Sequence, residues 1–399
     1  FKEKFNPSDI GIITGDVKVN PDAGCLIMTT EILRDLLFKK DPMVDQLGIV
    51  IFDEVHYINN DDRGHVWEEC LMLLPSRVQL IMLSATISRP ELFAKWIATI
   101  KQKRVHLIVH QNRPVPLVHY LYSQSRQQIE PYFQDRKLAF GKYEEHFKSF
   151  KIQNETWAVN HLIKYLKTQN LCPALFFTFS RRKCEQLAAT VVENFHTVSE
   201  QAEVERTING LLSRYQYDFN MLKLLPQIVQ IKQLAAKGIS FHHSGLLPFS
   251  KEIVEILFSK GLIKVMFVTE TFSVGINMPT RTVVFTELTK NTNGKIRPLY
   301  TDEFYQMAGR AGRRGLDSKG HVIYFPINRM MSLQSIRQII EGAPMSIRSR
   351  YQADYPIILQ QIYCGQPYEI VQKSYLYQEI ESLSKKTKEE LDAIVLELS

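Results

Sequence analysis

The sequence predicts an α/β protein with two successive, mostly parallel sheets and a helical C-terminal region. Two observations carry this prediction: short apolar, β-rich runs alternate with longer helical patterns, and each run ends in polar residues. The 399 residues are enough for two or three domains. With 45% hydrophobic and 23% charged residues, the composition argues against a disordered, collagen-like or disulfide-rich protein.

Three apolar runs predict the first sheet. They are CLIMTT at 25–30, which is interpreted as a buried strand, LGIVIFDE at 47–54 and VQLIMLSAT at 78–86. The run TEILRDLLF after the first strand has helical spacing. Because ligands of open α/β sheets bind outside the carboxyl ends of the strands, we expect the side chains after these strands at one shared rim. These side chains are Thr29, Asp53, Glu54, Ser84 and Thr86.

A second sheet is predicted after a region of weaker patterning. Residues 119–155 are charged and aromatic, and they are interpreted as a linker or an insertion. The second sheet is predicted from the runs ALFFTFS, ISFHHSG, IKVMFVTET, RTVVFTEL and GHVIYF, with helical segments between them. After Phe325 only helices are predicted. The domain boundaries that follow are 1–118, 156–345 and 346–399.

Charge and cysteine content limit the partners and the compartment. The net charge of +7 permits a polyanionic partner but is too small to establish one. Five cysteines without a C-x-x-C pair argue against a disulfide framework and a zinc site, and favour the cytoplasm, with the nucleus as the alternative. The polar N-terminus argues against a signal peptide, and no apolar run suits a membrane anchor. Because the first residue is Phe1, we treat the chain as a fragment of a longer protein.

The run DEVH is the first candidate for chemistry. Asp53 and Glu54 follow an apolar strand, where one carboxylate can hold Mg²⁺ through water while the other activates the water that attacks a γ-phosphate. The alternative is a turn whose acids cap a helix, and DEVH alone does not decide between them. Ser84 and Thr86, in SAT, could link a nucleotide site to a neighbouring domain. Taken alone, SAT is better explained as a strand exit with Thr86 as a helix N-cap.

The run QMAGRAGRRG at 306–315 is the strongest candidate. Arg310 and Arg313 are three residues apart and are predicted on one helical face, with glycines that allow close approach. Arginine forks match phosphate oxygens and stabilise the charge of phosphoryl transfer. A solvated basic surface explains neither the glycine spacing nor Gln306. The sequence supplies no further metal ligands for His242 and His243, so we interpret them as structural hydrogen-bonding residues.

The order of the motifs resembles that of superfamily-2 DExH-box helicases, specifically the superkiller-like RNA helicases that feed the RNA exosome. ITGD at 13–16 and TTEILRDLL at 29–37 resemble motifs Ib and Ic, DEVHYI resembles motif II, and SAT resembles motif III. FFTFSRRKCE, TETFSVGINMP and QMAGRAGRRG resemble motifs IV, V and VI. RGHVWEE at 63–69, NRPVPLVHYLY at 112–122 and HHSGLLP at 242–248 are similar to further runs of the family.

The resemblance implies two tandem RecA-like domains, the first incomplete at its N-terminus, followed by the start of a winged-helix region. It implies an ATP-dependent RNA helicase that translocates 3′ to 5′, with ATP and Mg²⁺ as cofactors. Implied partners are single-stranded RNA or a duplex with a 3′ overhang, and exosome-like RNA-decay machinery. The implied catalytic and nucleotide-binding residues are Asp53, which would hold Mg²⁺ through water, Glu54, Gly275, Gln306, Arg310 and Arg313. The implied coupling residues are His56, Ser84 and Thr86, and the implied RNA contacts are Thr14, Thr29, Ser180, Arg181 and Thr269.

The sequence departs from the family at the phosphate-binding loop. No G-K-S or G-K-T occurs in it, although in the family this loop supplies the N–H groups and the lysine that hold the phosphates. We interpret the departure as truncation before motif Ib, and we expect little ATP hydrolysis from the chain alone. Two other functions stay open: an RNA-binding scaffold without ATPase activity, and a related DNA helicase. The run TETFSVGINMP favours the RNA branch.

A β-hairpin is predicted between motifs V and VI. Asn293-Gly294 separates two short strand patterns, and this dipeptide is a strong signal for a tight hairpin turn. The resemblance implies that the hairpin lies where duplex meets single strand and acts as a wedge. A plain connecting hairpin is the alternative.

Overall fold

The computed structural model divides into two compact units. The first comprises Phe1–Val109 with Pro344–Ser399, and the second comprises His110–Ala343. The structure describes residues 4–15, 17–85, 87–110, 113–123, 126, 128–134, 137–151, 154–215, 219–273, 278, 280–292, 294–351, 355–363 and 368–398. Within these ranges, no helix is long and apolar enough to cross a membrane. The cysteines found there are free thiols: Cys25, Cys70, Cys172 and Cys184.

The N-terminal part of the first unit surrounds one hydrophobic core. Its strands are β1 (Ile10–Ile13), β2 (Lys18–Val19), β3 (Cys25–Met28), β4 (Ile49–Phe52) and β5 (Gln79–Met82). Its helices are α1 (Thr30–Lys39), α2 (Pro42–Gln46), α3 (Gly64–Leu73) and α4 (Pro90–Lys101). The core is formed by side chains of α1, α3, α4 and β4, among them Leu33, Phe52, Leu71 and Trp96. The strands predicted in the three apolar runs are therefore confirmed.

The prediction of one shared rim is wrong in this unit, because β3 and β4 belong to different sheets. β3 pairs in parallel with β1, and β4 pairs in parallel with β5, so Thr29 and Asp53 follow strands of separate sheets. The prediction of β3 as a buried strand is also wrong, because its Ile27 is 40% exposed. β4 is likewise partly exposed, with Ile51 61% exposed. An apolar strand is buried on both faces only where layers cover both faces. The described elements cover one face of these strands.

The second unit is built on a large, mostly parallel sheet. Its strands are β6 (Leu117–Ser123), β7 (Gln128–Gln134), β8 (Lys137–Leu138), β9 (Ala174–Phe177), β10 (Ile239–His242), β11 (Val265–Val268), β12 (Thr282–Phe285), β13 (Thr289–Thr292), β14 (Lys295–Pro298) and β15 (Gly320–Tyr324). The strand order is β10-β11-β9-β12-β15-β6-β7-β8, and β13 pairs with β14 as the predicted hairpin. The helices are α5 (Phe140–Ser149), α6 (Glu155–Thr168), α7 (Arg181–Thr190), α8 (Val198–Leu212), α9 (Phe219–Leu224), α10 (Pro226–Ala235), α11 (Pro248–Ser259), α12 (Thr301–Ala308) and α13 (Leu333–Glu341).

The interpretation of 119–155 as a linker or an insertion is wrong for the part of this range that forms β6 to β8. β6 pairs in parallel with β15, and β7 and β8 extend the same sheet antiparallel. Residues Val118 to Ser123 are all buried, so both faces of β6 are covered. The charged residues that follow this strand weaken the local pattern, and only the tertiary pairing shows that the strand belongs to the second unit.

The chain returns to the first unit after Ala343. Helices α14 (Tyr355–Tyr363) and α15 (Tyr375–Leu398) lie in this C-terminal part. The Trp96 indole N–H donates to the Lys373 carbonyl (2.8 Å), and the rings of Trp96 and Tyr375 meet edge to face. These contacts fix the start of α15 on α4. The assignment of this part to a winged-helix region stays a prediction.

The buried side chain of Glu68 on α3 also holds the returning chain. Glu68 is 0% exposed and belongs to the run RGHVWEE. It accepts hydrogen bonds from the Ser349 hydroxyl (2.8 Å) and from the backbone N–H groups of Arg350 (3.0 Å), Tyr351 (3.1 Å) and Tyr375 (2.8 Å). One carboxylate therefore joins α3 to two separate points of the C-terminal part.

Lys101, at the end of α4, is a buried cation in the same unit. Its side chain is 4% exposed, and its Nζ donates to the Leu74 carbonyl at the end of α3 (2.5 Å). Burial, together with repulsion from Lys373, lowers the pKa of Lys101 to about 7. Between pH 7 and the ordinary lysine pKa, the unfolded chain therefore binds more protons here than the folded chain does. Stability contributed by this site rises with pH over that window.

Replacing Lys101 with methionine is expected to remove this ionisation cost. Lys101→Met should raise the free energy of unfolding most at pH 7 and below, where the folded wild-type chain must carry the charge. The gain should shrink by roughly 2–4 kcal/mol between pH 7 and pH 10. Urea titrations of both proteins at the two pH values measure it, with the exposed Lys103→Met as the control. A gain that does not change with pH would contradict the assignment of the cost to ionisation.

Candidate functional site

The acidic turn follows β4 directly. Asp53 is exposed, and its Oδ1 accepts a hydrogen bond from the Glu54 N–H (3.0 Å). Glu54 has φ 59° and ψ 44°, a left-handed conformation that costs a non-glycine residue roughly 1–3 kcal/mol. A short 3₁₀ helix, Val55–Asn59, begins after it. Such strain is common at functional sites, and here it turns the chain sharply at the carboxyl end of β4.

Hydrogen bonds join this turn to the loop after β5. The Val55 N–H donates to the Leu83 carbonyl (2.9 Å), which continues the contact between the two strands beyond their ends. The Ala85 N–H donates to His56 Nδ1 (3.3 Å). Ser84, next to Ala85, is exposed. The structure therefore brings DEVH and SAT together, as the sequence predicts for strands that end at one edge.

The surroundings of His56 favour its neutral form. Burial lowers the pKa of His56, although the Glu54 and Asp53 carboxylates act in the opposite direction. A neutral ring that accepts the Ala85 N–H at Nδ1 carries its proton on Nε2. Glu54 Oε2 lies 3.3 Å from Nδ1 and receives no proton from this tautomer. The Glu54 carboxylate therefore keeps the lone pairs that a general base needs.

Asp53 and Glu54 fit a hydrated Mg²⁺ ion better than a metal enclosed by protein. Mg²⁺ prefers carboxylate oxygens, keeps several waters, and is usually bound by one or two carboxylates together with substrate phosphates. In the described part of the chain, no group of three or more His, Cys, Asp or Glu residues could hold a metal. Two adjacent carboxylates therefore fit the protein ligands that a hydrated Mg²⁺ ion needs.

The arginines of QMAGRAGRRG lie beyond the end of a helix. Because α12 ends at Ala308, the prediction that Arg310 and Arg313 share a helical face is wrong. The chain turns at Gly312, where φ is +88° and an added Cβ would lie 2.5 Å from Val115 Cγ1. A glycine is therefore required at this position by both backbone and packing. The glycine spacing serves a tight loop, which we call the arginine loop (309–315).

An ion pair fixes Arg313 in the arginine loop. Its Nε donates to Asp317 Oδ2 (2.8 Å) and its Nη2 donates to Asp317 Oδ1 (2.9 Å). The Asp317 side chain is 3% exposed, and this hydrogen bonding raises the pKa of Arg313 and lowers the pKa of Asp317. Sequence reasoning missed Asp317, although it stands four residues after Arg313. Gln306, on α12, and Arg310 are half-buried.

Arg113 also supports the arginine loop, and sequence reasoning missed it. Its Nη2 donates to the carbonyl oxygens of Gly309 (2.6 Å) and Ala311 (2.9 Å), and its Nε donates to the Val115 carbonyl (2.8 Å). The first two carbonyls flank Arg310 on both sides. Arg113 therefore fixes the backbone from which Arg310 extends. The run NRPVP was the available signal, but nothing in it names a partner so far along the chain.

The predicted RNA contacts lie at strand ends in both units. In the first unit, Thr14 and Thr29 follow the neighbouring parallel strands β1 and β3. In the second unit, Ser180 and Arg181 are exposed after β9, and Thr269 follows the neighbouring strand β11. Each set therefore shares one sheet edge. Thr269 is 8% exposed, so its side chain presents little surface to a ligand.

Gly275 and Thr86 lie outside the described residues, and their roles stay predictions.

His242 and His243 form hydrogen bonds with carboxylates, which confirms their structural interpretation. His242 Nε2 lies 2.8 Å from Glu255 Oε1. His243 Nδ1 accepts the Gly245 N–H (3.2 Å), so its Nε2 carries the proton and donates to Glu185 Oε1 (3.0 Å). Burial lowers the pKa of His243, although Glu185 acts in the opposite direction. The second pair ties β10 to α7, the helix that begins at Arg181.

Comparisons with known proteins find two helicase regions in the chain. The family described as DEAD/DEAH box helicase matches residues 13–93, and the helicase conserved C-terminal domain matches residues 212–315. The chain is 36% identical to the antiviral helicase SKI2 of Saccharomyces cerevisiae and 40% identical to the Superkiller complex protein 2 of Homo sapiens, each over 90% of the chain. It is 35% identical to the exosome RNA helicase MTR4 of Homo sapiens, also over 90% of the chain. The matches cover 33%, 30% and 36% of these relatives, so the chain spans about a third of their length.

Proposed function

Because this chain belongs to the superkiller-like family of superfamily-2 DExH-box helicases, we propose that it forms part of an ATP-dependent RNA helicase. The first matched region contains the acidic turn, and the second contains the arginine loop. In this proposal the protein couples ATP hydrolysis to 3′-to-5′ movement on RNA. It acts in RNA processing or decay, in the cytoplasm or the nucleus.

The acidic turn supplies the hydrolytic groups in this proposal. Asp53 holds the Mg²⁺ of the nucleotide through water, and Glu54 takes the proton of the attacking water. When bound, Mg²⁺ neutralises charge on the phosphate oxygens. Support comes from the neutral tautomer of His56, which leaves the Glu54 carboxylate able to accept a proton. His56 also contacts the SAT loop, and it passes a change at the turn to Ser84 and its neighbours.

The arginine loop supplies positive charge in this proposal. Gln306 orients the water or the γ-phosphate, and Arg310 and Arg313 stabilise the charge that is transferred. Asp317 and Arg113 act through these residues, since they hold Arg313 and the backbone on both sides of Arg310. Preorganised groups of this kind stabilise a transition state without reorganising during the reaction.

RNA is held through its backbone in this proposal. Thr14, Thr29, Ser180 and Arg181 lie at sheet edges, where hydroxyl, guanidinium and backbone N–H groups can contact phosphates without reading sequence. Such binding weakens as salt rises, because counterions are released on binding. The human relative named exosome RNA helicase MTR4 suggests RNA-decay machinery as a partner.

The contact between His56 and the SAT loop is the observation that carries this function. A directional unwinding assay with the full-length protein tests the proposed function. With ATP and Mg²⁺, we expect separation of a duplex with a 3′ single-stranded overhang, and at least ~10-fold slower separation with a 5′ overhang. RNA should stimulate ATP hydrolysis in the same preparation.

The 399-residue chain alone is the control. It should bind single-stranded RNA with an affinity that falls as salt rises, and it should show no RNA-stimulated hydrolysis, because it has no G-K-S or G-K-T loop. Binding without hydrolysis by the full-length protein would support a scaffold and contradict the proposed helicase. Unwinding of DNA in preference to RNA would place the protein in the DNA branch.

A further inference from the structure

Four charged side chains form one cluster at the base of the hairpin β13–β14. Lys290 Nζ lies 2.8 Å from Glu270 Oε2 and 2.6 Å from Glu303 Oε1. Arg297 donates to both oxygens of Glu303, from Nη1 (2.8 Å) and from Nη2 (2.7 Å). Lys290 and Arg297 are directly opposite each other on the two strands of the hairpin. The hairpin therefore directs two cations to one carboxylate.

Glu303 connects this cluster to α12. It lies in the first turn of the helix, and its Oε2 accepts the backbone N–H of Tyr300 (2.9 Å), which caps the helix. The Arg297 guanidinium lies 3.8 Å from the centre of the Tyr300 ring. Burial alone would raise the pKa of Glu303, but hydrogen bonds from Arg297 and Lys290 lower it below its ordinary value. One side chain therefore fixes both the start of α12 and the position of the hairpin.

Glu270 connects the cluster to a third element. It directly follows Thr269, at the start of the short 3₁₀ helix Glu270–Ser273 after β11. The cluster thus joins the TETFSVG run, the hairpin and the helix that leads into the arginine loop. The side chains of Lys290 and Glu303 are only 16% and 21% exposed. Charged groups that are partly withdrawn from water and share several partners couple more strongly than isolated surface pairs.

We propose that Lys290 and Glu303 are positioning residues through which α12 sets the position of the hairpin, so that strand separation follows the state of the arginine loop. The inference rests on the proposed helicase function and on the wedge role that the family resemblance implies for the hairpin. A hairpin that only connected two elements would not need two cations directed to the first turn of α12. A movement of α12 shifts Glu303, and Glu303 carries both strands of the hairpin with it.

The test compares Lys290→Met with Lys164→Met in the full-length protein. Lys164 lies on α6 in the same unit and is exposed, so its variant removes an equal charge without touching the cluster or the hairpin. We expect Lys290→Met to lower RNA unwinding by about 10-fold while RNA-stimulated ATP hydrolysis falls by less than about 3-fold. Lys164→Met should change both activities by less than about 2-fold. Lys290→Arg keeps the charge and should restore much of the unwinding.

Amide hydrogen exchange supplies a readout that does not depend on activity. The hairpin, Thr289–Pro298, should exchange faster in Lys290→Met than in wild type, and at the wild-type rate in Lys164→Met. Equal loss of hydrolysis and unwinding in Lys290→Met would overturn the proposal, because the cluster would then only support α12. Unchanged unwinding or unchanged exchange would overturn it as well. Absence of unwinding by the wild type would instead contradict the proposed function, and exchange would still decide whether the cluster holds the hairpin.

Discussion

Glu54→Gln in the full-length protein is expected to slow RNA-stimulated ATP hydrolysis by at least ~10²-fold while ATP binding stays nearly intact. Glutamine has almost the same shape as glutamate, but its amide cannot take a proton from the attacking water. The left-handed backbone at this position and the contact of the turn with Ala85 do not depend on the charge. Single-turnover hydrolysis and equilibrium binding of a fluorescent ATP analogue separate the two effects.

Glu91→Gln is the matched control for this variant. Glu91 lies in the first turn of α4 in the same unit, is exposed, and loses the same charge. Its hydrolysis should equal that of the wild type. Wild-type hydrolysis by Glu54→Gln would remove Glu54 as the general base. A parallel loss of ATP binding would assign Glu54 to nucleotide or Mg²⁺ binding in place of proton transfer.

The strands of both units could be predicted because their apolar runs are local signals. In the second unit, β9 to β12 are buried on both faces, and a continuous apolar run is the pattern that such strands require. The acidic turn follows from the same reasoning, since polar residues after a parallel strand lie at its carboxyl edge. The family resemblance then supplied the roles of the residues at that edge.

The shape of the arginine loop could not be predicted from its spacing. Residues three apart suit a helix, but backbone hydrogen bonds with Thr280 end the helix earlier. The Thr280 N–H donates to the Arg310 carbonyl (2.8 Å), and the Gly312 N–H donates to the Thr280 carbonyl (2.7 Å). A partner thirty residues away thus overrides the local pattern. Arg113 and Glu68 also depend on partners that are distant in sequence. The acceptor of Arg113 and the donor to Glu68 are separated from these residues by about half the chain or more.

Glu68→Gln is expected to lower the free energy of unfolding of the first unit by roughly 2–4 kcal/mol. The two oxygens of this buried carboxylate accept from three backbone N–H groups and one hydroxyl. Glutamine replaces one oxygen with an N–H₂ group, so in either orientation at least one buried N–H would face another donor. Both points at which the C-terminal part meets α3 depend on these bonds.

Two measurements test this expectation against a matched control. Asp61→Asn removes the ion pair between Asp61 and Arg350 (2.7 Å). Arg350 lies on the same returning segment, but the Asp61 side chain is 75% exposed. An exposed pair contributes about 0–1 kcal/mol, so this control should change the urea midpoint little. Limited proteolysis should cleave the 344–399 part faster in Glu68→Gln and at the wild-type rate in Asp61→Asn. Equal stability and equal cleavage of the two variants would show that packing around Trp96, and not the Glu68 carboxylate, holds the returning chain on the first unit.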